Sequence, residues 1–436
     1  MHRRGRWLAC ALLVTLLAVA CTPEWTTYHR EPGRSGADLS APSIVPVARA
    51  WTSPFVDGFV FAQPLVYRNR VYVATEHNTI YALDLASGAV AWSRHIAEPV
   101  RASSVPCPLN IDPLGITGTP VIDPAGNTIF AVVETGPPAQ HALVGLDVDT
   151  GSPRVLASGD PPGVDPAMDH QRPALALGNG RVYWAYGGSN CGTYHGKVVS
   201  VRTDGTSPLV YVAPTQNGGS IWGPSGPAID AAGNVWVTTA DGGSTTTFDR
   251  SNTVIKLSPT LQELGYFAPS NWAALNQAHH DLGSTGPLLL PGGYLFQVGK
   301  SGEAYVVRQS APGGIGGQVA SLSTGCNVSG GNAWSPGMVY MACLSGTRAL
   351  KLGDPPSLQP AWQGPPDANG SPAFGGNAVW TVAVDGGGVL YALKPSDGSV
   401  LQSLTIGHMR HFTSPVIAGD TVIVATDHTV QAFHHA

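Results

Sequence analysis

The stretch Gln63–Ala91, QPLVYRNRVYVATEHNTIYALDLASGAVA, constrains this chain more than any other feature, because it recurs to the C-terminus. A proline opens a short apolar run, Pro64-Leu65-Val66-Tyr67, and a polar turn leads to Val71-Tyr72-Val73-Ala74. A second turn leads to Ile80-Tyr81-Ala82-Leu83-Asp84, and Ser87-Gly88 feeds a fourth run ending at Trp92. Alternation bounded by Gly, Asn and Asp marks half-buried antiparallel strands. A four-stranded meander has two faces to cover. Alone it cannot bury them; stacked beside copies of itself it can.

The opening proline returns at Pro120, Pro173, Pro227, Pro287, Pro372 and Pro415. A degenerate copy fits the longest gap, with Asn332-Ala333-Trp334 before Ser335-Pro336-Gly337 and a strand from Met338 to Ala342, which makes eight units. First hairpins such as VIDPAGNTIFAV and LALGNGRVYWAY hold Gly, Asn or Asp where a tight turn needs positive φ. A second signature, at Ala82–Gly88, Gly145–Gly151 and Ala392–Gly398, ends in a glycine suited to a left-handed position. The last copy, Thr413–Phe433, supplies three strands, and Val45–Trp51 resembles the missing Trp-bearing fourth. The expected fold is therefore all-β: an eight-bladed β-propeller of four-stranded antiparallel blades over residues 44–436, closed by N- and C-terminal strands sharing one blade. Closure removes free sheet edges.

Composition agrees. With 54 Gly, 37 Pro and 12% charged residues the chain is rich in turns, and its 43% apolar content excludes a disordered chain. Helical periodicity is nearly absent, with one or two turns expected at Trp272–Ala278. Residues 1–20 read as a signal peptide, with Arg3, Arg4 and Arg6 before an apolar stretch too short to span a bilayer. Leu17-Ala18-Val19-Ala20-Cys21 looks like a bacterial lipobox, which implies lipidation of Cys21 and an anchor on the extracytoplasmic face of a membrane. Residues 21–43, rich in Pro, Gly and Ser, then read as a flexible tether. Once the three leader arginines go, the remaining Lys and Arg stand against 28 acidic residues for a net charge of −8, so nucleic acid is excluded as a partner.

In a propeller, the loops leading into each blade share one face with the loops between second and third strands. That face carries the candidates for a central ligand mouth: His170, Trp222, His279, His280, Trp334, Arg410 and His411. Four cysteines of an exported chain also fall there, and the blade positions pair Cys326 with Cys343 and Cys107 with Cys191 as disulfides. No CxxC, HExxH, GxSxG or EF-hand pattern occurs, and no metal site is expected from motif spacing.

The repeat VYVATEHNTIYALDLASGAVAW resembles the pyrroloquinoline-quinone-like (PQQ-like) β-propeller repeat, over nearly all of Trp51–Phe433. That resemblance implies either of two functions: a quinoprotein alcohol dehydrogenase similar to polyvinyl alcohol dehydrogenase, or an envelope scaffold that binds partner proteins and no quinone. His280–Pro287 followed by Val298–Gly302 looks like the dehydrogenase side, where an Asp in a loop leading into a blade serves as general base and helps hold Ca²⁺ beside the quinone. Asp281 is the residue to which that role would fall, and a carboxylate suits both tasks. The pattern then departs. His279 stands where a second acid is frequent, and the chain has neither a Cys-Cys pair nor a haem-attaching CxxCH. The sequence therefore favours a membrane-anchored scaffold for an envelope protein or small-molecule ligand. The alternative is a dehydrogenase dependent on PQQ and Ca²⁺.

Overall fold

Each repeat folds as a four-stranded antiparallel sheet in a computed structural model that describes residues 24–106, 110–188, 192–384 and 386–436. Blade one comprises Leu65–Tyr67, Arg70–Ala74, Thr79–Asp84 and Val90–His95. The innermost strands of blades two to seven are Val121–Asp123, Ala176–Gly178, Ala228–Ile229, Leu288–Leu290, Ala333–Ser335 and Ala373–Gly375. Blade eight is Val416–Ala418, Thr421–Ala425 and Val430–His435, with Val47–Thr52 as its outermost strand. Val47 pairs with His435 and Trp51 with Ala432, so the two ends of the chain complete one sheet as expected. The short helix is Trp272–Gln277. Among the described residues no helix is long and apolar enough to cross a membrane.

The apolar core lies between neighbouring blades: Tyr72 and Ala82 of blade one meet Ile129 and Ala131 of blade two, and Tyr183 of blade three meets Val237 and Ile255 of blade four. The outer rim is held by one recurring contact. Trp51 Nε1 donates to Leu85 O (2.9 Å), Trp92 Nε1 to Val148 O (3.0 Å) and Trp362 Nε1 to Pro395 O (2.8 Å), each on the following blade. Each indole covers the glycine that ends the second sequence signature, Gly88, Gly151 or Gly398, all with φ near +70°.

Blade six differs from its expected layout. Ala333–Ser335 is itself the innermost strand, and Pro336-Gly337 is its hairpin turn. Trp334 therefore lies within a strand instead of in a loop leading to one.

The segment expected to be a tether does the opposite. Trp25, His29 and Arg34 are fully buried. The innermost strands expose one hydrogen-bonding edge to the propeller axis, and a buried backbone group left unpaired costs about 1–3 kcal/mol. Residues 25–38 satisfy those edges in turn. Trp25 O accepts from Val66, Thr26 O from Ile122, Pro32 O from Ile229, Gly33 O from Leu289, Ser35 O from Trp334 and Gly36 O from Phe374, all at 2.8–3.0 Å. Arg34 Nη2 donates to Leu175 O and Pro227 O, and Trp25 Nε1 donates to Ile417 O. All eight blades are thus touched by one segment, which fills the channel. A composition of Gly, Pro and Ser serves this role because successive residues must turn from blade to blade.

Cys326 and Cys343 form a disulfide. Cys21, Cys107, Cys191 and the signal peptide lie outside the described residues.

Candidate functional site

The loop leading into blade five holds Asp281. Its shape is set by two glycines. A Cβ on Gly299 would come 2.3 Å from Asp281 O, and one on Gly283 would come 2.7 Å from the Ala240 nitrogen. The close approach lets Lys300 N–H donate to Asp281 O (2.9 Å), which explains why the His280–Pro287 and Val298–Gly302 segments occur together. Buried Asn276 ties in blade four: its Oδ1 accepts from Gly242 N–H (3.1 Å) and Asn252 Nδ2 (2.8 Å), and Asn252 Oδ1 accepts from Leu282 N–H.

Asp281 is 6% exposed and ion-paired to Lys300 Nζ, while its Oδ1 accepts the Asp241 N–H at 3.1 Å. The carboxyls of Asp241 and Asp281 also share a hydrogen bond. Burial, then that bond and the Asp281 charge, push Asp241 up to about 7, against the pull of His279, whose Nδ1 lies 2.7 Å from Asp241 Oδ2. Burial would raise Asp281 as well, but the hydrogen bond from Asp241 and the Lys300 charge outweigh it and hold Asp281 below the usual carboxylate range. Two carboxyls pushed apart in this way hold one proton between them near neutrality. They open on a cavity of about 430 Å³ walled by Tyr194, Asn217, Gly218, Gly242 and Gly243. Chemically, the pair can accept or give a proton at neutral pH and can receive a hydrogen-bond donor.

Of the other expected residues, His279 joins this pocket, and Trp222, half-buried, has its ring 5.2 Å from Lys300 Nζ. His280 is exposed. His170 is buried 3.0 Å from Glu134 Oε1, in a network with His141 and Asp160 between blades two and three. Arg410 pairs with Asp427 (3.2 Å) and lies over Phe59. His411 packs edge-on against Phe412. Trp334 lines a separate cavity of about 300 Å³ with Pro291, Gly337 and Asp354, which belong to turns on the opposite face.

Among the described residues, the candidates expected at a central mouth therefore do not converge on one cavity. Loops leading into five blades meet at the axis over Tyr28, and Phe61, Thr117, Arg172, Pro224 and Phe412 leave only about 10 Å³ between them, no more than one water molecule requires. The Arg172 guanidinium lies 4.1 Å from the Phe412 ring centre. Asp241 escaped the sequence reading; its signal was an acid before paired glycines, Ala240-Asp241-Gly242-Gly243, in a loop on the same face.

Residues 47–258 match the PQQ-repeat family model described as outer membrane protein assembly factor BamB. The match spans just under half of the chain. No curated protein matches the sequence. Among solved structures, this propeller is similar to quinohemoprotein alcohol dehydrogenase ADHIIG from Pseudomonas putida HK5, with a TM-score of 0.73 at 13% identity over 95% of this chain and 80% of that one. Quinohemoprotein alcohol dehydrogenase from Comamonas testosteroni gives 0.71 at 15% over 94% and 80%. BamB from Moraxella catarrhalis gives 0.63 at 16% over 89% and 99%. At such identities the likeness speaks for the fold.

The quinone and cation that the sequence resemblance implies do not find a place here. Among the described residues, the gap between Tyr28, Phe61, Thr117, Arg172, Pro224 and Phe412 is too small for a planar tricarboxylate. In the pocket it would face two carboxyls, and the cation that lines it, Lys300, is already bound to Asp281. Ca²⁺ takes about six to eight oxygen ligands. Here Lys300 occupies Asp281 Oδ2, His279 occupies Asp241 Oδ2, and Asn217 Oδ1 accepts from Tyr194 and Gly218 N–H groups. Among the described residues no cluster of three or more His, Cys, Asp or Glu side chains is arranged to hold a metal ion. The residues present do not fit the quinone–calcium pair.

Proposed function

We propose that this PQQ-like propeller is a binding scaffold of the cell envelope, held at a membrane through Cys21, that recognises a partner protein or small ligand without catalysing a reaction. The observation that carries this reading is the closed axis, where Tyr28, Phe61, Arg172 and Phe412 occupy the space a cofactor would need. The likeness to BamB in fold, and the family model over residues 47–258, agree with a scaffold. Its binding face is the one with the longer loops, which carries the Asp241–Asp281 pocket and an exposed aromatic, Phe55, at 81% exposure.

The decisive experiment titrates the protein with PQQ in the presence of Ca²⁺ by calorimetry and assays dye reduction with primary, secondary and polymeric alcohols. Silence in both is expected. Stoichiometric PQQ binding with turnover would replace the scaffold by the dehydrogenase. One observation favours that second reading, namely that Asp281 lies in a pocket beside Trp222. It requires that Asp281→Asn abolish the turnover.

A further inference from the structure

The path of the segment in the channel gives the disc a direction. Trp25 and Val66 form an antiparallel bridge, each N–H donating to the other's carbonyl at 2.8 and 3.0 Å. Leu65–Tyr67 runs from the face of longer loops to the face of the tight turns. Glu24 therefore comes from the turn face, and the chain climbs to Tyr28 and His29 under the loops leading into the blades. It then descends, with Ala37–Asp38 running parallel to Ala373–Gly375, and leaves again on the turn face, where Ile44 N–H donates to Gly376 O.

From Cys21 to Glu24 is three residue steps, at most about 10 Å of extended chain. Trp25 is already locked in the channel, wholly buried. A lipid on Cys21 would thus be fastened to the disc by a leash too short to let it turn over. A second, independent observation marks the same face. Leu39, at the tip of the turn where the segment leaves the channel, is 54% exposed. Val90, Leu264 and Val400, exposed at the starts of outermost strands, stand on the rim of that face. Exposed apolar groups around a lipid anchor suit contact with a headgroup layer.

We infer that the face of hairpin turns, centred on Leu39, lies against a lipid surface, and that the face carrying the Asp241–Asp281 pocket points away from it. The inference rests on the anchored-scaffold reading.

The test uses the lipidated full-length chain in vesicles of phosphatidylethanolamine and phosphatidylglycerol that contain a headgroup nitroxide quencher. Fluorophores are attached in turn in place of Leu39 and of His280, and the mass of the Cys21 peptide is measured in each preparation. Quenching is expected to be at least about threefold stronger at 39 than at 280. Inserting ten Gly and Ser residues before Glu24 should reduce that difference while leaving the lipid in place. Equal quenching, or stronger quenching at 280, in protein whose Cys21 carries lipid would overturn the orientation and leave the anchor standing. A Cys21 peptide of unmodified mass would overturn both.

Discussion

The indole of Trp51, near the N-terminus, lies on Gly88 of blade one so closely that a Cβ there would come 2.4 Å from the ring. Gly88 also has φ +71°, where a side chain strains the backbone. The contact joins blade eight to blade one at the seam of the ring. Trp92 on Gly151 and Trp362 on Gly398 repeat it between other blades.

Gly88→Ala should therefore destabilise the protein twice over, by overpacking and by backbone strain, for about 2–4 kcal/mol. Thermal unfolding would show it. Ala at Gly293, which also has positive φ but meets nothing within 4 Å, serves as the comparison and should cost less. Equal losses at the two sites would refute the indole contact.

Arg34→Met should cost several kcal/mol, because it strands Pro227 O and Tyr28 O in the channel, and each buried acceptor left unpaired costs about 1–3 kcal/mol. Urea midpoints would report the loss. A variant as stable as the parent would show that the channel segment does not bear on folding.

His141 sits between Asp160 and Glu134. Burial alone would lower its pKa, but the hydrogen bond to Asp160 and the ion pair with Glu134 outweigh that and raise it to about 9. Its folded pKa lies above the unfolded value near 6.5, so its contribution is full below about pH 6.5 and disappears as pH rises through about 9. Stability should fall across that window by roughly 3 kcal/mol. Urea unfolding at pH 6 and pH 9.5 checks this, and a flat profile counts against a charged His141.

Carboxyl NMR of the Asp241–Asp281 pair should show two well-separated steps, one below the normal Asp range and one near pH 7. Lys300→Met should move the lower step upward by at least about one unit, since it deletes a charge bound to Asp281. Two overlapping titrations near pH 4 would show that the carboxyls do not share a proton.

The ring was legible in the sequence because every blade repeats the same local problem. Pro64, Pro120 and Pro287 stand immediately before innermost strands, and Gly88, Gly151 and Gly398 mark turns that take an indole. Blade six was displaced because its proline belongs to the hairpin, so the tryptophan before it seemed to stand in a loop. Residues 25–38 were illegible for a different reason. Their partners come one at a time from eight blades, which imposes no period, and a polar Gly- and Pro-rich stretch looks the same whether free or enclosed. Asp281 was found through its neighbours in sequence, whereas Asp241 meets it only in space, 40 positions earlier.

The channel segment also imposes an order on assembly. Residues 25–38 leave the ribosome before any blade, yet their hydrogen-bond partners extend to Ile417, and Val47–Thr52 must wait for Val430–His435. Contacts of such sequence separation form late. The chain has to hold this stretch in reserve until the last blade has formed, so residues made before every blade are the last to find their seat.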